Sequence, residues 1–201
     1  MAEHQSTFLA WLFRMPLIKR WSLMYCVKPE NVAEHSHQVA IVAHLLAVIK
    51  NTKFNGNLNA DRVATTALYH EASETRYGDV VSPTKYANKE IAHEFKKIEK
   101  LAEQECLETL PEELVPIFEQ LIIQDSVPED IRKIVKAADI IVAYLKALDE
   151  LQHQNHEFDH VKVKLDNKLD GLRADMPEVC YFLSTFVEAC ANTIDNLTAN
   201  N

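Results

Sequence analysis

The chain has 201 residues, 47% of them hydrophobic and 25% charged, with only three glycines, so it is long enough to bury a core and ordinary in composition for a globular protein. A formal charge of −9 excludes the clustered-cation footprint of a protein that neutralises a phosphate backbone; long nucleic acid is not an expected partner, while a small anion needs only a few local cations. Cys26, Cys106, Cys180 and Cys190 form no C-x-x-C pair, MAEHQSTFLAWLFR lacks a basic segment ahead of a long apolar run, and no stretch of about 18 consecutive apolar residues occurs, so reduced thiols and a cytoplasmic chain with neither leader nor membrane span are expected.

In chain order, PENVAEHSHQVAIVAHLLAVIK from Pro29 to Lys50 opens on proline and polar capping residues and is apolar on nearly every side, the pattern of a buried central helix. A second helix is expected from Asn59 to about Tyr77, capped by Asn59, with Val63, Ala67, His70 and Glu74 on one stripe and Gly78 as its stop. Pro83 opens a third helical segment running to about Leu110, and its EFKKIEKLAEQE charges mark a solvated face. A shorter helix covers Leu114 to Gln124. Pro128 and Glu129 begin another that carries Ile131, Ile134, Val135, Ala138, Val142 and Leu145 at helical spacing to about Leu151. Two more follow, about 157 to 173 and 177 to 197. No alternating strand pattern, repeat or low-complexity linker interrupts the series, so an all-α chain forming a single domain over 1–201 is expected.

Ionisable residues interrupt the apolar faces at three places. His35 leads the stripe Val39, Val42, Leu46; His70 and Glu71 lie within ATTALYHEASE; Asp139 lies within IVKAADIIVAYL. A carboxylate facing a core costs on the order of several kcal/mol unless a hydrogen bond, cation or metal compensates it. One divalent ion is an economical common cause, since two imidazoles and two carboxylates suit Mn, Co, Zn, Ni or Fe. The residues alone leave open a blander account: a hydrogen-bonded core histidine, a capping acid and a buried ion pair. HEASE is not the zincin motif H-E-x-x-H, because position 74 is Glu. Glu34-x-x-His37 and Glu90-x-x-His93 supply the bare pattern of a di-iron bundle, the second in a charge-rich segment. His153, His156 and His160 fall where two helices join, a wet connection.

The ordered set of Arg20-Trp21, ENVAEHSHQVA at 30–40, YHEASE at 69–74, Gly78-Asp79, SPTKY at 82–86 and KAADIIVAYLKALDE at 136–150 resembles the HD-domain metal-dependent phosphohydrolases, in particular their bacterial 5′-deoxynucleotidase branch, from about residue 8 to 190. The resemblance implies an HD-domain helical bundle that converts deoxyribonucleoside 5′-monophosphates to deoxynucleoside and phosphate with one divalent ion, as a homodimer. It implies His35, His70, Glu71 and Asp139 as metal ligands and Glu74 as general acid or base. It also implies Arg20 on the phosphate, Trp21 against the sugar where its ring excludes a 2′-hydroxyl, Asp79 on a sugar hydroxyl, and Ser82 and Lys85 as further substrate contacts. Glu71 departs from the family's Asp by one methylene. Two alternatives therefore stand beside this reading: a metal- or nucleotide-binding module with impaired turnover, and a phosphohydrolase acting on another phosphoester.

Overall fold

The computed structural model describes residues 5–199, and among these there are helices but no strand. After the short α1 (Phe8–Leu12) and a 3₁₀ turn at Met15–Leu17, the chain makes one antiparallel bridge, Lys19 to Asn31, before entering α2 (Val32–Lys53). Asn31 starts that helix through a capping box: its side chain accepts from the Glu34 N–H at 3.0 Å, and the Glu34 carboxylate accepts from the Asn31 N–H at 3.3 Å. Glu34 is thus a capping residue, and His37 is exposed, as are Glu90 and His93, so the di-iron pattern has no structural counterpart.

The expected helix from Asn59 to Tyr77 is two pieces, α3 (Ala60–Tyr69) and α4 (Glu74–Tyr77). Between them the backbone tightens into successive i→i+3 hydrogen bonds, Ala72 N–H to the Tyr69 carbonyl at 3.0 Å and Glu74 N–H to the Glu71 carbonyl at 3.1 Å. Three residues per turn eclipse i with i+3, so Glu74 lines up with Glu71 rather than with His70. No glycine or proline marks this break; Ala72, within it, packs into a second apolar cluster with Phe8, Cys106, Leu107 and Ile122. Gly78 stops α4 at φ +79°, as expected of a residue without Cβ.

The segment expected from Pro83 to Leu110 also divides, into α5 (Ser82–Lys85) and α6 (Lys89–Glu108), because Asn88 restarts the helix by accepting from the Ile91 N–H at 2.8 Å. Then come α7 (Val115–Ile122), α8 (Glu129–Gln152), α9 (Asp159–Asp175), α10 (Pro177–Cys190) and α11 (Ile194–Ala199). The main core forms where α2 packs on α3, α8 and α10, and α8 on α9. Val39, Ala43, Leu46 and Ala47 of α2 are fully buried there. By length and composition α2 is the one described helix able to cross a bilayer; most of its apolar residues pack against α3, α8 and α10, while Ile41 and Val48 are exposed. All four cysteines are free thiols.

Candidate active site

Packing α2 against α8 brings His35, in the first turns of one, to Asp139, midway along the other, with His35 Nε2 3.1 Å from Asp139 Oδ1. The tight turn after α3 delivers the other pair: His70 Nε2 lies 3.3 Å from Glu71 Oε1, and the His35 and His70 rings are 5.6 Å apart. One ligand atom from each of His35, His70, Glu71 and Asp139 falls within 4.8 Å of every other. The extra methylene of Glu71 does not keep its oxygen out of the group.

The donor set suits a divalent ion in a specific respect. His70 Nδ1 donates to the Ala67 carbonyl at 2.7 Å, which fixes the ring so that Nε2 faces the cluster. Electrostatics makes the same demand. Burial works to raise Glu71, but His70 and Arg20 bring it down to about 2. Asp139 is held well below the usual carboxylate range against the same burial by Lys136, His35 and His70. His70 is raised despite burial, chiefly by Glu71 and Asp139. His35 is lowered, first by burial, so it presents a neutral imidazole. Two ionised carboxylates that pull a proton onto the neighbouring histidine call for positive charge, and a divalent ion supplies it.

Glu74 is buried beside this cluster and pushed up to about 10 by burial, then by the charges of Glu71 and Asp79. Arg20 comes from the segment before α2; its Nη1 is 4.0 Å from Glu71 Oε1, and its pKa is raised against burial by Glu71 and Glu30. Trp21 is half-buried, edge-on to Phe158 at 5.3 Å between centroids. Asp79 is raised by burial, against the pull of the nearby Arg20 charge. Arg20, from far earlier in the chain, therefore joins Glu74 and Asp79 around Glu71. A cavity of about 450 Å³ opens beside the cluster, with His70, Glu71, Tyr77, Lys85, Lys136 and Asp139 among its walls. Lys85 is on that wall in an ion pair with Glu99. Ser82 is exposed at the start of α5 and makes no side-chain hydrogen bond among the described residues.

Sequence reading missed two residues here. Lys136, whose Nζ is 2.7 Å from Asp139 Oδ2, was detectable from its i−3 spacing on the same helix. Glu30, which bonds both Arg20 and Trp21, carried no local signal. The histidines at 153 and 156 are exposed and paired with Asp149 and Asp159, in keeping with a wet connection.

The helical architecture and the clustered histidines and carboxylates define an HD-domain phosphohydrolase fold. Solved structures with that architecture include an HD-domain phosphohydrolase from Listeria innocua, TM-score 0.79 at 23% identity over 92% of this chain and 88% of that one. Another is the cyanophage S-2L HD phosphohydrolase DatZ, bound to dA and one catalytic Zn²⁺, TM-score 0.64 at 19% identity over 90% of this chain and 96% of that one. The family model described as 5′-deoxynucleotidase YfbR-like matches residues 7–190. A 5′-deoxynucleotidase of Yersinia pseudotuberculosis serotype I is 49% identical over 98% of both chains, and one of Yersinia pestis is 48% identical over the same share. The chain belongs to the YfbR-like 5′-deoxynucleotidase family.

Proposed function

We propose that this protein hydrolyses deoxyribonucleoside 5′-monophosphates to deoxynucleoside and phosphate, using one divalent ion held by His35, His70, Glu71 and Asp139. The observation that carries the reading is the convergence of these four ligand atoms within 4.8 Å, around a His70 ring already oriented by its bond to the Ala67 carbonyl. Two imidazoles and two carboxylates favour Mn, Co, Zn, Ni or Fe over a hard-oxygen cation. When bound, such an ion supplies Lewis-acid polarisation of a phosphoryl oxygen and lowers the pKa of water.

The protein's own groups perform the rest. Arg20 presents its guanidinium fork to the phosphate, with Nε committed to Glu30 at 3.0 Å. Glu74, buried beside the four ligands and close to Glu71, acts as the general acid or base of the hydrolysis. The Trp21 ring packs against the sugar and leaves no space for a 2′-hydroxyl, while Asp79 accepts from a sugar hydroxyl. Ser82 and Lys85 add a hydroxyl donor and a positive charge at the approach to the cavity. The names of the Yersinia relatives and the dA bound to DatZ support a nucleotide substrate with a deoxyribose. That Glu71 reaches the ligand group favours turnover over a bare binding module.

The chain acts as a single HD-type domain over 1–201, in the cytoplasm, on a small molecule and not on long nucleic acid or a membrane. Phe13, Leu17, Leu23 and Tyr25 are all more than two-thirds exposed on the segment before α2, and this apolar surface supports a homodimer. The test is phosphate release from a panel of deoxynucleoside monophosphates with each candidate ion. Glu74→Ala is expected to lower kcat by roughly 10²-fold or more while elemental analysis finds the same metal content; turnover near the parent rate would remove Glu74 from the chemistry.

A further inference from the structure

One buried carboxylate outside the ligand group touches two of the proposed substrate residues. A single oxygen of Glu30, Oε2, accepts from Arg20 Nε at 3.0 Å and from Trp21 Nε1 at 2.9 Å, and Glu30 is only 8% exposed. We propose that Glu30 is a positioning residue that sets the site's preference for deoxyribose, by locking the Arg20 guanidinium and the Trp21 indole in one mutual geometry. The proposal rests on the reading of Arg20 and Trp21 as phosphate and sugar contacts.

Three features of the surroundings make Glu30 the organiser of this pair. Its backbone is anchored on both sides: its carbonyl accepts from the Arg20 N–H at 3.0 Å, and the Ile18 carbonyl accepts from the Val32 N–H at 3.0 Å. Glu30 directly precedes the Asn31 cap of α2, whose first turns carry His35, so the pair is placed in register with a metal ligand. Trp21 itself sits at φ 58°, a left-handed conformation unfavourable for a side chain with a Cβ, which persists only where the surroundings over-determine it. The bond to its indole N–H supplies part of that constraint. Among the described residues the indole N–H bonds Glu30 alone, and a ring freed from it gains rotamers that no longer fill the position of a 2′-hydroxyl.

The rest of the segment has an independent fastening. The Val27 and Lys28 N–H groups donate to Glu150 at 2.8 and 3.1 Å, and the Tyr25 carbonyl accepts from Asn155 Nδ2 at 2.7 Å. Changing Glu30 therefore leaves the loop attached to α8 and releases chiefly the Arg20–Trp21 pair.

The experiment uses a Trp11→Phe background, in which Trp21 is the sole tryptophan of the two. In it, Glu30→Ala and Glu30→Gln are compared on deoxyadenosine and adenosine 5′-monophosphate, with metal content and Trp21 fluorescence anisotropy measured alongside. Glu30→Ala is expected to raise KM for the deoxynucleotide and to lower the deoxy-over-ribo ratio of kcat/KM, each roughly tenfold, as fits the loss of charge-assisted hydrogen bonds. Metal content should be unchanged and anisotropy lower. Glu30→Gln keeps an oxygen at the same reach and should retain most of the ratio. Glu30→Asp, a methylene short of both donors, should match Glu30→Ala and takes its place if that variant does not fold. An unchanged ratio and KM in the Ala or Asp variant overturns the proposal, as does a loss that only follows a loss of metal. A parent protein inactive on both nucleotides counts against the proposed function instead; Glu30 is then decided by anisotropy, and an unaltered signal overturns its role.

Discussion

At Glu71 one methylene separates this site from the family's usual aspartate, yet its Oε1 still meets His70 Nε2 at 3.3 Å and joins the ligand group. Residues 70–74 form a tight turn with i→i+3 bonds and not a continuous α-helix, and from that backbone the longer side chain reaches the group. Glu71→Asp is accordingly expected to keep or raise kcat under saturating metal, whereas His70→Ala should abolish metal retention; steady-state kinetics and elemental analysis check the two. A fall of more than roughly tenfold in Glu71→Asp would mean that the pocket is shaped around the longer acid, since catalytic geometry is intolerant of errors of about 1 Å. At this scale the clustering residues were legible, because His35, His70 and Asp139 each contradict an apolar face and burying them unpaired is costly. Glu30 was not legible: it is an unremarkable acid ten residues from Arg20, and only the folded chain shows both of its donors.

The helices themselves were largely readable; two of the misread boundaries fall beside the site, while the helix expected from 177 to 197 ends at Cys190, with α11 starting afresh at Ile194. Periodicity and caps located α2 and α8 to within a few residues, whereas the helix through His70 and the segment after Pro83 each divide in two. The first division has no local breaker and lies where Ala72 packs into the second apolar cluster. The second has a cap, Asn88, that sequence reading passed over in favour of continuity. A further element-level device joins α8 to the loop before α2. Glu150, 1% exposed, accepts from Val27 N–H, Lys28 N–H, Asn155 and Lys146. Burial acts to raise this carboxyl, but those donors outweigh it and hold it at about 2, below its ordinary 4.5. A depressed carboxyl stabilises the fold above its unfolded pKa and loses that contribution as pH falls through the folded one. The Glu150 contribution, on the order of 3 kcal/mol, should therefore be present above pH 4.5 and fade toward pH 2. Glu150→Gln is expected to be less stable than the parent at pH 7 and to show a shallower decline in denaturant midpoint across that acid window. Parallel declines in the two proteins would contradict this.

For the whole molecule, two carboxylates and two histidines from three parts of the chain meet at the centre of the helical packing, so metal affinity and folding are linked. An ion that binds only the folded state adds about 2.7 kcal/mol at a hundredfold excess over Kd. Tm of chelator-stripped protein should rise with added Mn, Co or Zn, and His35→Ala should remove that dependence; an equal rise in the variant would place the ion elsewhere. The sequence by itself determined the class of the fold and which ionisable residues interrupt its buried faces. Helical periodicity records which face is buried, and ionisable residues on such a face record where burial must be compensated. Tertiary structure alone decided which acid stands beside which, that Glu74 aligns with Glu71, and that Glu30 and Lys136 brace Arg20, Trp21 and Asp139. Those relations join residues whose separation in space depends on how helices pack and where the backbone tightens, and neither quantity is written in local periodicity.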